Sequence, residues 1–227
     1  MVAERSCAAS LLYTSPFHVA SIIFAFPTIF WLLAYLAPQL YMVVRPVPDL
    51  KKKYNADWGL VTGAGSGIGK ALAFKLANQG LNVVIVSLDD DILKNTMKEI
   101  RAEYPEQEFR SVGVNFAPGV NYMEKIIAAT KDIDIPIIFS NAGFIVTGFV
   151  DQAPIGKLLT NIECNATSGV NIAHHFVKPL IASKKKGCIV FTSSVAAYIP
   201  SPFAATYAAT KAFISSFACC LSVCQEC

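Results

Sequence analysis

From Ser6 to Val44 the chain carries no Asp, Glu, Lys or Arg, and charged residues make up only 15% of its 227 positions. The deficit is concentrated there, in a stretch that contains "SIIFAFPTIFWLLAYLAPQLYMVV", long enough to cross a bilayer. A cleaved secretory signal would be shorter and would end in small residues. A buried core helix would tolerate Pro27 and Pro38 poorly in its interior, whereas membrane helices accept proline more readily. Residues 1–45 are therefore expected to form a membrane helix or hairpin. Arg45 and Lys51, Lys52 and Lys53 follow it, against Glu4 and Arg5 before it, a bias that puts everything after residue 45 on the cytosolic face. Residues 46–57 read as a basic linker.

Other scarcities exclude other classes. The net charge of +3 is scattered, which argues against a nucleic-acid partner. Histidine is rare, and His174 and His175 have no partner at ligand spacing, so no metal site is expected. The cysteines are odd in number, with Cys219, Cys220, Cys224 and Cys227 crowded at the end. "CQEC" has the spacing of a metal or redox pair but lacks a second pair, and Gln225 and Glu226 do not suit prenylation. Reduced cytosolic thiols are expected, with acylation beside a membrane left open. No internal repeat or low-complexity tract occurs.

What is present after residue 57 is alternation. "WGLVTG", "LNVVIVS", "EFRSVGVNF", "IDIPIIFSNAG" and "GCIVFTSS" read as strands. Between and after them run amphipathic helices, over "GIGKALAFKLANQG", "DILKNTMKEIRAEYP" and "VNYMEKIIAATKD", then about 155–183 and 204–221. Strand–helix alternation at this spacing implies parallel pairing: an α/β, Rossmann-like, doubly wound parallel sheet over residues 58–227.

Directly between the first strand and helix stands "TGAGSGIGK", residues 62–70. Glycines there permit a tight turn and close approach of backbone to a pyrophosphate, which the helix N-terminus attracts. Near the other end, "ATYAATKAF" sets Tyr207 and Lys211 one helical turn apart. A free phenol is a poor acid or base at neutral pH, and a cation one turn away favours the phenolate. Alone, such a pair is an ordinary surface pair.

The spacing Gly63–Gly67–Gly69 is the T-G-x-x-x-G-x-G form, and with it the chain resembles the short-chain dehydrogenases/reductases from about Trp58 to Phe217. The family's Asn-Ala-Gly appears as Asn141, Ala142 and Gly143, its active-site Asn as Asn165, its Ser as Ser194 and its Tyr and Lys as Tyr207 and Lys211. The resemblance implies an NAD(P)(H)-dependent oxidoreductase. Tyr207 would protonate a carbonyl oxygen as hydride arrives, Ser194 would hydrogen-bond that oxygen, Lys211 would hold the nicotinamide ribose, and Asn165 would hold a relay water. Gly63, Ser66, Gly67, Ile68, Gly69, Asn115, Asn141, Ala142 and Gly143, with Tyr207 and Lys211, would contact the cofactor. Ser193 is an alternative hydroxyl, though the spacing of thirteen residues to Tyr207 favours Ser194. Asn165 also opens an N-A-T glycosylation sequon, which a cytosolic face would leave unused.

A membrane segment, "DLKKKYNADW" and then the nucleotide fold is similar to one membrane-bound subgroup: the 17β-hydroxysteroid dehydrogenases related to very-long-chain 3-oxoacyl-CoA reductase of the endoplasmic reticulum. That implies reduction of a lipid ketone, a 3-oxoacyl thioester of fatty-acid elongation or a steroid, at the endoplasmic reticulum membrane. NADP(H) is implied by the subgroup. However, Leu88 stands where its members place Arg, and Asp89, Asp90 and Asp91 follow, so NAD(H) stays open, with Asp89 a candidate acceptor from a ribose hydroxyl. The family often dimerises through the helices carrying Asn165 and Tyr207. Its core also continues past the Tyr–Lys helix, and on the usual domain length roughly 60–90 residues are expected beyond it. The sheet is therefore expected to be incomplete at its C-terminal edge. The alternative reading is a C-terminally shortened, inactive form that acts as a partner-binding or dominant-negative subunit.

Overall fold

The structure, a computed structural model, describes residues 16–224. It divides into two compact units, one ending at Pro48 and one beginning at Asp49. Within the first, Pro16–Val44 form one uninterrupted helix, α1, about 43 Å long at 1.5 Å per residue. Its segment Ile23–Val44 has a mean hydropathy of 1.6 with no side chain buried, and is long and apolar enough to cross a membrane. Of the two expected forms, helix or hairpin, the described residues take the single helix. Pro27 and Pro38 lie inside it without ending it. Beside Pro27 the Thr28 hydroxyl donates to Phe24 O at 2.9 Å, the kind of side-chain bond that keeps backbone acceptors satisfied near a proline.

The second unit opens with a short helix, α2 (Leu50–Tyr54), inside the stretch read as a linker. Asp49 Oδ1 accepts from Lys52 N at 3.0 Å to start it, and Asn55, at φ 47°, ends it. Lys51 Nζ then donates to Gly80 O at 2.6 Å, and Leu50 N to Gln79 Oε1 at 2.9 Å. Composition alone hid these contacts, because all of them are made to residues far along the chain.

Five strands follow: β1 (Trp58–Thr62), β2 (Asn82–Ser87), β3 (Phe109–Gly113), β4 (Ile137–Ser140) and β5 (Cys188–Phe191). They form one parallel sheet in the order β3-β2-β1-β4-β5, with Leu60 opposite Val84 on one side and Ile138 on the other. The expected doubly wound fold is present. β1 is an unbroken buried run because helices cover both its faces.

On one face α3 (Gly67–Asn78) and α4 (Asp91–Glu103) pack Ala73, Leu76, Leu93 and Ile100 against Val61, Val83 and Ile85. On the other, α5 (Tyr122–Thr130) and α7 (Ser168–Ala182) bring Ile126, Ile172 and Phe176 to Leu60, Val84 and Ile138. Each fully buried Leu or Ile contributes about 1.5–3 kcal/mol by leaving water. The chain closes with α8 (Ala205–Cys224).

One element differs from its expected form. The continuous helix over 155–183 is instead α6 (Ile155–Ile162), a π turn (Glu163–Thr167) and then α7. The turn is braced from α5, where Tyr122 OH donates to Glu163 Oε1 at 2.5 Å and accepts from Asn171 Nδ2 at 2.6 Å. Burial and that carboxylate push the Tyr122 phenol above its ordinary range, so it stays protonated.

Candidate active site

The chain builds outward from β1 through β2 and β3 and then returns to add β4 and β5 on the other side, so strand order reverses between β1 and β4. In open parallel sheets the crevice at such a switch point lies past the C-terminal ends of the strands. A cavity of about 580 Å³ occupies that place. Three loops and one helix line it: Gly63, Ser66 and Ile68 after β1, Asn141 to Ile145 after β4, Thr192, Ser193 and Ser194 after β5, and Tyr207 and Lys211 on α8. The sequence scatters these residues from position 63 to position 211, and parallel pairing brings them to one end of the sheet.

The glycine loop is shaped for close approach. Gly63 has φ +65° and lies so near Ala142 that a Cβ on it would come within 2.8 Å of Ala142 Cα. A Cβ on Gly69 would meet Gly63 O at 2.2 Å, so α3 can begin against the strand end only with glycine there. Thr96 Oγ1 donates to Gly65 O at 2.7 Å and holds the loop from α4. Ser66 precedes α3 and makes no side-chain capping bond, which leaves the first N–H groups of the helix for a ligand. The residues present therefore fit a dinucleotide: a narrow glycine cradle, uncapped helix donors and an adjoining cavity.

Two threonines that sequence reasoning passed over tie the loops together. Thr62 Oγ1 accepts from both Asn141 N and Ala142 N at 2.9 Å, and Asn141 Nδ2 donates to Thr62 O at 3.2 Å. Thr192 Oγ1 donates to Asn141 Oδ1 at 3.0 Å. Their signal was one of position only, Thr62 ending β1 and Thr192 directly following β5, and nothing in residue type set them apart.

Lys211 is only 4% exposed, and its Nζ donates to Thr192 O at 2.7 Å. Burial lowers its pKa from the ordinary value of 10.5. Its ammonium lies 5.7 Å from the centre of the Tyr207 ring, the contact expected one helical turn apart. Both serines line the cavity but differ in what they can offer. Ser193 Oγ is engaged by Ser215 Oγ at 2.6 Å and Lys211 O at 3.2 Å. Ser194 Oγ accepts from Ala196 N at 3.2 Å and, among the described residues, donates to nothing.

Asn165 does not line the cavity. It sits in the π turn, 5% exposed, with Oδ1 accepting from Phe144 N and Nδ2 donating to Phe144 O, both at 2.9 Å. Buried and engaged in this way, it cannot serve as a glycosylation acceptor in the folded chain. Asn165 Oδ1 and Lys211 Nζ nevertheless flank Gly143, lying 3.1 and 3.4 Å from the point a Cβ there would occupy. Burial pushes the thiol of the adjacent Cys164 up to about 11.

Gly67 and Gly69 belong to the cradle without lining the cavity, and Asn115 lies exposed just past β3, also outside its walls. The three carboxylates after β2 take separate positions. Asp90 Oδ1 accepts from Leu93 N at 2.9 Å to start α4, and Asp91 pairs with Lys94 at 2.9 Å. Asp89 lies against Gly113 and lines a second cavity, of about 480 Å³, with Lys94, Lys98 and Arg101. Cys219 and Cys220 are exposed on α8, and Cys227 of the "CQEC" pair lies outside the described residues.

Residues 58–224 match the short chain dehydrogenase family. Among curated relatives, the very-long-chain 3-oxoacyl-CoA reductase of Caenorhabditis elegans is 32% identical over 77% of this chain and 56% of its own length. The inactive hydroxysteroid dehydrogenase-like protein 1 of Mus musculus is 33% identical over 75% of this chain and 51% of its own. The chain thus spans about half the length of these relatives. A short-chain dehydrogenase of Sphingobium yanoikuyae solved with NADPH superposes with a TM-score of 0.67, at 28% identity over 73% of this chain and 65% of that one. A Burkholderia phymatum member solved with NAD gives the same TM-score, at 25% identity over 74% and 59%. Both nicotinamide cofactors occur among the neighbours of this fold.

Proposed function

This chain belongs to the short-chain dehydrogenase family, and we propose that it is a membrane-anchored, NAD(P)(H)-dependent reductase of a lipid ketone, a 3-oxoacyl thioester or a 17-ketosteroid. The observation that carries the reading is the single cavity walled by the Gly63–Ile68 loop on one side and by Ser194, Tyr207 and Lys211 on the other. When bound, the nicotinamide supplies a hydride to the carbonyl carbon. Tyr207 hands its phenolic proton to the carbonyl oxygen, so C=O becomes CH–OH with charge balanced. Ser194, with a hydroxyl proton to give, stabilises negative charge developing on the same oxygen. Lys211 keeps two N–H donors free for ribose hydroxyls after its bond to Thr192 O. Asn165 and Lys211, on either side of Gly143, suit a relay water between them.

NADP(H) is the proposed cofactor, from the subgroup resemblance. Asp90 and Asp91 are engaged within α4, and Asp89 sits among Lys94, Lys98 and Arg101, so the acidic run presents less repulsion to a 2′-phosphate than its sequence implies. The apolar α1 and the basic residues after it support a membrane anchor with this unit facing the cytosol, and the subgroup resemblance supports the endoplasmic reticulum as that membrane. Exposed Ile155, Leu159 and Ile162 on α6 and Phe213 on α8 support pairing with a second copy.

The test is oxidation of NADPH or NADH by the purified full chain with a 3-oxoacyl-CoA or a 17-ketosteroid, beside a Tyr207→Phe control. Equal turnover in both would sink the role of Tyr207. Nucleotide binding without turnover in either substrate class would favour the second reading, an inactive partner-binding subunit. That reading draws on the half-exposed β5 and on a relative described as inactive.

A further inference from the structure

Two lysine runs from distant parts of the sequence meet at the N-terminal end of the sheet. Lys184, Lys185 and Lys186, in the turn between α7 and β5, line a cavity of about 800 Å³ together with Tyr54 of α2. Lys53 brings the other run to the same place, its Nζ 5.2 Å from the centre of the Tyr54 ring. Some of these charges are answered within the fold. Lys51 donates to Gly80 O, Lys52 pairs with Asp49 at 3.5 Å, and Lys185 pairs with Asp134. Lys53, Lys184 and Lys186 are exposed and have no carboxylate partner among the described residues.

A run of lysines on a surface is usually only solvated. Here a second circumstance applies. Val44, the last residue of the apolar helix, is joined to Asp49 at the start of α2 by a stretch that reaches about 18 Å at most when fully extended. If that helix is in a bilayer, α2 cannot leave the neighbourhood of the headgroups, and the local concentration of lipid charge around its lysines stays high. Attraction to an anionic leaflet acts within about a Debye length, some 8 Å, and shifts an equilibrium by about fivefold per lysine. Three unanswered lysines on one tethered face are enough to hold it.

The geometry points to this face, Lys53 with Lys184 and Lys186, as a docking surface for the anionic phospholipid headgroups of the membrane that holds α1. The partner is identified by charge: phosphate and carboxylate groups in a plane meet three exposed ammonium groups drawn from two elements. The inference rests on the membrane-anchored reading above, and the experiment separates the two.

The full chain is reconstituted in nanodiscs of phosphatidylcholine alone and of phosphatidylcholine with phosphatidylserine, and amide exchange is followed at residues 50–56 and 183–188. Amides of β1 and β2 report whether the fold is intact. In the serine-lipid discs, protection of both segments is expected to rise by about tenfold or more, to fall with salt, and to vanish in Lys53→Glu/Lys184→Glu/Lys186→Glu. A milder triple Gln variant should give an intermediate loss. Equal protection in the two lipids, or protection unchanged in the triple variants, overturns the proposal. Protection that rises with protein concentration and ignores lipid charge means a second copy covers the face, which overturns it equally. If the chain fails to enter neutral discs, the anchor reading fails by itself. Flotation with serine-lipid vesicles that needs Lys53, Lys184 and Lys186 would then still support the face, and its absence would sink it.

Discussion

The sheet has two unlike halves. β1 and β2 are buried almost throughout and carry the glycine cradle, whereas β5, which carries Ser194 just past its end, is only half covered. Val190 in β5 is 39% exposed, and no strand lies on its outer side among the described residues. The nucleotide half is thus built by packing. The chemical half is held by hydrogen bonds, from Thr192 to Asn141, from Lys211 to Thr192, and from Ser193 to Ser215. A fold can place a serine hydroxyl accurately just past a lightly covered strand if backbone carbonyls and hydroxyls pin its neighbours from the inner side.

The largest expected effect tests whether the halves are separable in function. Tyr207→Phe should lower turnover by about 10²–10⁴-fold while nucleotide affinity, measured by fluorescence titration, stays near the parent value. Loss of both together would mean the halves are one unit.

Next comes the difference in packing. Leu60→Ala, in the fully buried β1, should cost about 2–5 kcal/mol in urea unfolding, against less than about 1 kcal/mol for Val190→Ala. Similar costs at the two sites would erase the comparison. Gly69→Ala should be smaller than the first of these, about 1–3 kcal/mol, and should also weaken nucleotide binding, because its methyl group would collide with Gly63 O.

A subtler effect concerns pH. Burial lowers the Lys211 pKa below 10.5, so the folded chain binds fewer protons than the unfolded one between that lowered value and 10.5. The stability contribution of Lys211 therefore rises with pH across this window, while nucleotide binding that needs its charge falls. Lys211→Met should remove both slopes, read by thermal shift and by titration; a slope that survives belongs to another group. The smallest effect is local. At about pH 8, iodoacetamide should modify Cys219 and Cys220 and spare Cys164, whose thiol is held up near 11 by burial. Mass spectrometry reads the outcome.

Much of the fold was legible because its signals are periodic. The short apolar runs, the amphipathic stretches between them and the glycine loop gave the order of strands and helices, and each strand appears where it was expected. The site was legible in its parts for a different reason: Ser194, Tyr207 and Lys211 are spaced along one continuous segment. Asn165 was harder. Its helix reads as continuous, and only the π turn braced by Tyr122 and Glu163 turns its amide onto Phe144. Thr62 and Thr192 were invisible, since a threonine at or just past a strand end looks the same whether its hydroxyl ties two loops together or binds nothing.

By itself the sequence determined the class of fold, the apolar span and the chemical inventory, because these depend on hydrophobic period and residue type, which are local. Tertiary structure alone decided which serine keeps a hydroxyl proton to give, where the acidic run after β2 ends up, and that two lysine runs share one face. Each of those depends on a partner far along the chain, and only the parallel pairing of the strands sets that distance.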